Sequence, residues 1–403
     1  MRRILQKQVF TCYAVQGFFL FFKNQSKIMS DKRHEARYIR RKARREAKRK
    51  EKIGNCDNFG NVANADNLVS AFKNAKKGVS WKESIQRYEA NLLTNILETK
   101  QKLLNGEDTR RGFVEFDVNE RGKVRHIKSV HISERVVQKC LCNEVLTPIL
   151  TRPLIHDNGA SIKGKGLNFS VNRLIAHLRR FYRENGNAGY ALIIDFKGYF
   201  DNIDHRALAL QISPHLHDKR LRSLLWNFIA AFGEKGLGLG SEVSQICAVF
   251  FPNKIDHFIK EQLHIKYYGR YMDDSYLIHA DKAYLQKCLA EIKALAATLK
   301  ITLNEKKTRI VKLSNGVPFL KGRYVLTSTG KIIKYSASNS IVRMRRKLKR
   351  FKRLLEQGKM TADDIRTSYQ SWKGNYKKRF DDYYRIKKLD KLFDELFIQN
   401  WHK

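Results

Sequence analysis

The chain has 403 residues, 42% of them hydrophobic, enough for one large multi-lobed unit or two to three domains with real cores. Lysine and arginine total 80 against 39 acids, a formal net charge of +41; a compact body with that excess repels itself unless it meets a polyanion, and nucleic acid is the natural one. No transmembrane span is legible, which sets a membrane partner aside, and six cysteines without a C-x-x-C pair speak against a zinc site or disulfide framework and fit reduced thiols in a cytoplasm.

Residues 1–28 look foreign to the rest. Positions 9–22 form an apolar run of fourteen, too short to span a bilayer, behind Arg2, Arg3 and Lys7. Translation from Met29 is the expectation, with 1–28 a non-native extension and 29–66 a basic arm and linker. The arm, 32–52, carries twelve Lys or Arg and three Glu and reads equally as a phosphate-binding helix or a solvated tail.

Helical patterning runs from 67 to 104, with Leu92, Leu93, Ile96, Leu97, Leu103 and Leu104 expected to line one face. Residues 113–118 alternate like a strand, and 120–127 turn into a second strand, giving a hairpin that bears Lys123 and Arg125. A helix starts at Ser133-Glu134 and is expected to stop near Pro148. The glycine-rich loop 158–166 lacks P-loop spacing, yet its backbone N–H groups with Lys163 or Lys165 could meet phosphates; a plain surface turn is nearly as good a reading. A helix over 168–184 follows.

Residues 190–195 are an apolar run that closes on Asp195, the pattern of a buried strand delivering an acid at its end. Phe196 and Phe200 follow, and Asp204 is placed to cap a helix from His205. Another helix is expected over 221–232. A stretch with four glycines, 233–240, leads into Ser241-Glu242-Val243-Ser244-Gln245 and a helix running toward 263. Tyr271-Met272-Asp273-Asp274 then sits between β-favouring residues and reads as a tight hairpin with both aspartates at its tip, a site that wants divalent cations. A helix over 281–299 precedes a strand, turn and strand over 301–310, and 317–325 make a further hairpin. Residues 340–356 repeat apolar positions at three and four, while the other face holds eight Lys or Arg between 343 and 353. Helices rich in Tyr, Trp and Lys close the chain, a mix suited to tracking a nucleic-acid backbone.

Taken together, Ile193-Ile194-Asp195 with Phe200 five residues beyond the acid, Tyr271-Met272-Asp273-Asp274 after a strand, the Gly240–Gln245 loop, Leu303-Asn304-Glu305-Lys306-Lys307-Thr308 and Phe319-Leu320-Lys321-Gly322 resemble, in order, the motifs of a prokaryotic reverse transcriptase. The resemblance runs from about residue 68 to the C-terminus. It implies an α+β right-hand polymerase: fingers over 67–189, a palm with an antiparallel sheet over 190–335 with a fingers insertion around 206–240, and a helical thumb over 336–403. It implies RNA-directed DNA synthesis from dNTPs on a primer, with Asp195, Asp273 and Asp274 holding two Mg2+ ions for which Mn2+ can substitute. Lys307, with Lys306 its rival, would protonate pyrophosphate. Lys123 and Arg125 would clamp phosphates. Phe196, Gly240, Ser244 and Gln245 would meet substrate, and Phe200 would act as the steric gate against ribonucleotides.

One departure narrows the subtype. Where many family members have a Gln, this chain has Leu239, and where they have Pro it has Gln245. That pattern resembles diversity-generating retroelement enzymes, which copy adenine inaccurately and work with a small basic accessory protein. An antiphage-defence enzyme copying a noncoding RNA is the alternative within the family. An RNA-binding maturase or chaperone with a vestigial site is the alternative outside it.

Overall fold

The computed structural model describes residues 36, 37, 39–41, 43, 44, 51, 54–120, 123–336 and 339–397. The chain divides into Met1–Asn58 and Phe59–Lys403. In the first unit the described residues up to 51 are helical and exposed; residues 1–28 and the remainder of the 32–52 arm lie outside the described residues.

The second unit begins with three helices, α1 (Ala65–Ala75), α2 (Glu83–Ala90) and α3 (Leu92–Asn105), closed by Gly106 in the left-handed conformation. The six leucines and isoleucines expected on one face of α3 divide. Ile96 and Leu103 are buried, whereas Leu93, Leu97 and Leu104 are exposed. At 3.6 residues per turn, positions 96, 99 and 103 form one stripe and 93, 97 and 104 the neighbouring one, and only the first meets the core.

An antiparallel hairpin follows, β1 (Phe113–Glu120) with β2 (Lys123–Val130). The next helix, α4 (Ile132–Leu141), opens a helical run that ends at Leu150, near Pro148 as expected. It passes through a π turn (Cys142–Leu146) into α5 (Thr147–Leu150). Pro148 lies in the first turn of α5, where a missing N–H is tolerated.

A four-stranded antiparallel sheet carries the centre of the molecule. Its strands are β3 (Tyr190–Ile194), β4 (Tyr267–Tyr271), β5 (Asp274–His279) and β6 (Arg309–Lys312), in the order β4-β5-β3-β6. The long helix α6 (Leu167–Asn185) covers one face: Leu174, Leu178 and Phe181 pack with Ala191, Ile193, Tyr276 and Ile278. The intervening helices are α7 (His205–Ile212), capped by Asp204 through Ala207 N at 2.8 Å, and α8 (Lys219–Ala230), capped by Asp218. Next come α9 (Glu242–Phe250), α10 (Asn253–His257) and α11 (Lys282–Thr298). Residues 301–304 form no strand; Leu303 makes a single bridge to Phe196.

A second sheet, β7 (Val317–Phe319), β8 (Gly322–Leu326) and β9 (Ile332–Ser336), joins the same core. Three C-terminal helices follow, α12 (Asn339–Glu356), α13 (Ala362–Lys377) and α14 (Tyr383–Phe397). Met344, Leu348, Phe351, Ile365, Tyr369, Leu389 and Phe393 make a core of their own. Among the described residues no helix is long and apolar enough to cross a membrane.

Candidate active site

Strand register brings the acids together. Ile194, the last residue of β3, pairs with Ser275 of β5, so Asp195 comes alongside Asp274. Alternation then puts both carboxylates on the same side of the sheet. Tyr271 pairs with Asp274, leaving Met272 and Asp273 as the two-residue turn. Only Asp273 is therefore in the turn itself; Asp274 opens the strand. Met272 has φ +54°, the one positive φ in this turn, where glycine is the usual choice for a two-residue hairpin. A side chain held there costs on the order of 1–3 kcal/mol.

Asp195 is buried, 4% exposed. Asn304 donates to one of its oxygens at 3.0 Å, and Lys307 Nζ reaches the other at 2.7 Å. Both adjacent lysines are exposed, but of the two it is Lys307 whose ammonium meets the acid. The loop that carries it is tied to the same strand end: Asn304 N donates to Asp195 O at 2.7 Å and Lys197 N to Thr302 O at 2.8 Å. These bonds hold 302–304 as an irregular segment where the sequence suggested a strand. Burial alone would lower the Lys307 pKa, but its contact with Asp195 and the field of Asp273 and Asp274 leave it raised. Asp274 is pushed up to about 6, first by burial and then by the charges of Asp273 and Asp195. Mutual repulsion of this kind marks a place that favours a cation.

The donor set suits a hard divalent ion, since all three acids offer carboxylate oxygens. They do not form a ready-made cage: among the described residues no three His, Cys, Asp or Glu side chains are arranged to hold one metal. Asp195 is instead turned to the Lys307 ammonium, a cation already in the chain.

The other expected site residues fall as follows. Gly240 has φ +110°, and a Cβ there would meet Lys128 O at 3.3 Å and Ile127 Cγ2 at 3.5 Å, so the loop passes close beneath β2. Ser241 caps α9 and donates to Gln138, whose amide donates to the buried Glu134, tying this loop to α4. Ser244 is buried, and its hydroxyl has no hydrogen-bond partner among the described residues; Gln245 is exposed. Phe200 is half-buried in a short 3-10 turn, its ring edge-on to Tyr199. Phe196 is 4% exposed and packs on Tyr199, so its ring belongs to the core rather than to an open cleft. Arg125 is exposed on β2; Lys123 pairs with Glu120 by backbone at the hairpin end, and its side chain lies outside the described residues. The glycine-rich loop is tied to the sheet. Gly159 N donates to Arg270 O at 3.2 Å, Arg270 N donates to Asp157 O at 3.1 Å, and Lys165 Nζ binds the carbonyls of His156 and Asn158. The loop thus covers the free edge of β4.

Sequence reasoning passed over Arg270, Asp256 and Asn304. Arg270 carried a signal: a charge in an otherwise apolar strand must find a buried partner. The same holds for Asp157 behind the sheet. Burial would raise its pKa, but hydrogen bonds with His177 and Arg173 outweigh this and hold it below the usual carboxylate range.

An antiparallel sheet that brings acids from two adjacent strands to one end, in a chain with a two-stranded hairpin before it and a helical C-terminal lobe after it, is the palm of a right-hand polymerase. The sequence profile of the reverse transcriptase (RNA-dependent DNA polymerase) family matches residues 112–341. The chain belongs to that family. It is similar to the protein YkfC of Escherichia coli K12, 22% identical over 290 residues, covering 59% of this chain and 73% of the relative. Among solved structures it is similar to telomerase of Candida albicans in complex with a fragment of telomeric RNA (12% identity, TM-score 0.44, 65% of this chain and 54% of that one). Apo telomerase of Candida tropicalis gives 14% identity and a TM-score of 0.44 over 72% of this chain and 60% of that one. The chain therefore spans little more than half the length of these telomerase chains.

Proposed function

We propose that this protein extends a primer with dNTPs on an RNA template, and that Asp195, Asp273 and Asp274 are its metal ligands. The observation that carries the reading is the register that sets Asp195 beside Asp274, with Asp273 in the adjoining turn. Divalent cations, Mg2+ with Mn2+ as a substitute, would neutralise the attacking 3′-oxygen and the triphosphate when bound. Lys307, which pairs with Asp195 here, would be free to meet the departing pyrophosphate once a cation took its place on that carboxylate. Arg125 and Lys123 on β2 hold phosphates, and Phe200 blocks a ribose 2′-hydroxyl. On this reading 67–189 are fingers, 190–335 palm and 336–403 thumb, acting in the cytoplasm.

Within the family we assign the chain to the diversity-generating retroelement type, with a small basic accessory protein as a further partner. The support is Leu239 before Gly240 and the exposed Gln245 in place of proline. Primer extension on a defined RNA with Mg2+ tests both levels. The reading expects DNA product with errors concentrated opposite adenine. Absence of product would remove the polymerase assignment, and even fidelity across the four bases would remove the subtype. In the same assay Phe200→Ala is expected to lower discrimination against ribonucleotides at least tenfold, on the order of one lost steric clash.

A further inference from the structure

Arg270 heads the fully buried large side chains, 1% exposed, and stands one residue before the turn segment Tyr271–Asp274. Its Nε donates to both oxygens of Asp256, at 2.8 and 3.0 Å. One terminal nitrogen, Nη2, donates to Asp256 at 2.6 Å and to Val249 O at 2.9 Å. The other, Nη1, donates to Met272 O at 3.0 Å. Tyr268 Oη donates to Asp256 at 2.6 Å and fixes that carboxylate in turn. Three elements thus converge on one guanidinium: α10 through Asp256, α9 through the Val249 carbonyl in its last turn, and the acid turn through Met272.

Stability alone does not call for this arrangement. A buried ion pair costs desolvation that its own attraction barely offsets, and apolar residues of similar volume often replace such pairs without loss. What apolar residues cannot do is bind the Met272 carbonyl. That carbonyl belongs to the peptide leading directly into Asp273, on a residue whose positive φ is unfavourable for a side chain. A planar fork reaches all three acceptors at once; an ammonium cannot.

We infer that Arg270 is a positioning residue for the reaction: by clamping the Met272 carbonyl it fixes the peptide that aims Asp273, and it locks the acid turn to α9, the helix that starts under Gly240. The inference rests on the polymerase reading above. It places the orientation of the metal ligands and that of the loop-helix under one side chain, so the two move as one body.

Two variants test it. Arg270→Lys keeps the charge opposite Asp256 but loses the fork. It is expected to lower kcat about 10- to 100-fold, with dNTP KM and Tm close to wild type. The double variant Arg270→Met with Asp256→Leu removes the pair together; Tm is expected to stay near wild type while the kcat loss persists. Mn2+ binding by the protein without nucleic acid, read by electron paramagnetic resonance, is expected to weaken several-fold in both. Activity that returns with Tm in the double variant, or falls in Arg270→Lys only in proportion to lost folded protein, overturns the inference. So does unchanged Mn2+ affinity. Failure of the polymerase reading looks different: wild-type protein makes no DNA, while the Mn2+ titration still reports on Arg270.

Discussion

Two arginine-bearing regions of this protein use the same side chain in opposite ways. In the palm, Arg270 is sealed from water and each of its three guanidinium nitrogens has an acceptor. On α12, eight lysines and arginines between 343 and 353 line one side of the helix while Ile341, Met344, Leu348 and Phe351 are buried on the other. Among the described residues none of those eight forms an ion pair; Lys347 reaches only the Ser368 hydroxyl and the Phe351 ring. The palm fixes charge by geometry, so single side chains decide its behaviour. The helix presents charge as a sum, which suits a partner whose phosphates repeat and whose sequence does not matter.

The largest effect is expected where geometry is tightest. Asp273→Asn keeps the size of the side chain at the turn and removes one ligand charge. On the polymerase reading it lowers the rate of dNTP incorporation by at least about a thousandfold while primer–template affinity stays within a few-fold. Filter binding beside single-turnover extension separates the two quantities. A variant that keeps most of its rate would show that the acids serve something other than the chemistry.

The same contrast explains what the sequence made legible. The acids could be read because a strand, a two-residue turn and a terminal carboxylate are local patterns, and α12 could be read because its apolar period is local too. Lys307 was one of two adjacent candidates, and only the fold of 302–304 onto the end of β3 turns it toward Asp195. Arg270 and Asp256 are 14 positions apart across a helix–strand junction. No periodicity links them, so the partner of Arg270 had to be seen in space. The leucines expected on one face of α3 missed for a related reason. Pattern gives the element, but packing decides where it continues and which stripe is inside.

Asp274 gives an intermediate test, through pH. Its pKa is about 6 in the folded chain, above the ordinary value of 3.8, with burial the largest cause and the charges of Asp273 and Asp195 next. The folded state therefore holds this proton more tightly than the unfolded one, and the stability it contributes is full below about pH 4 and lost as pH rises through 6. In chelator, Asp274→Asn should remove that loss: a Tm a few degrees above wild type at pH 7.5, with no gain at pH 4. The metal requirement has the opposite direction. Below pH 6 a proton competes for the ligand, so the divalent concentration giving half the maximal rate is expected to rise about tenfold per pH unit. A flat requirement between pH 7.5 and 5 would remove Asp274 from the ligand set.

The smallest effect belongs to α12, and its form matters more than its size. Arg345 and Arg346 are exposed and lack acidic partners among the described residues. If the helix meets phosphates as a sum, Arg345→Gln and Arg346→Gln each weaken primer–template binding only about two- to fivefold near physiological salt, leave kcat unchanged and reduce the slope of log affinity against log salt by up to about 0.9. The double variant should add the two slopes, because separate ions are released at each contact. One arginine carrying nearly all of the loss would instead show a specific clamp on this helix, of the kind the palm builds around Arg270. Two arginines with no change in slope would leave the eight cations as a solvated face and move the phosphate path elsewhere.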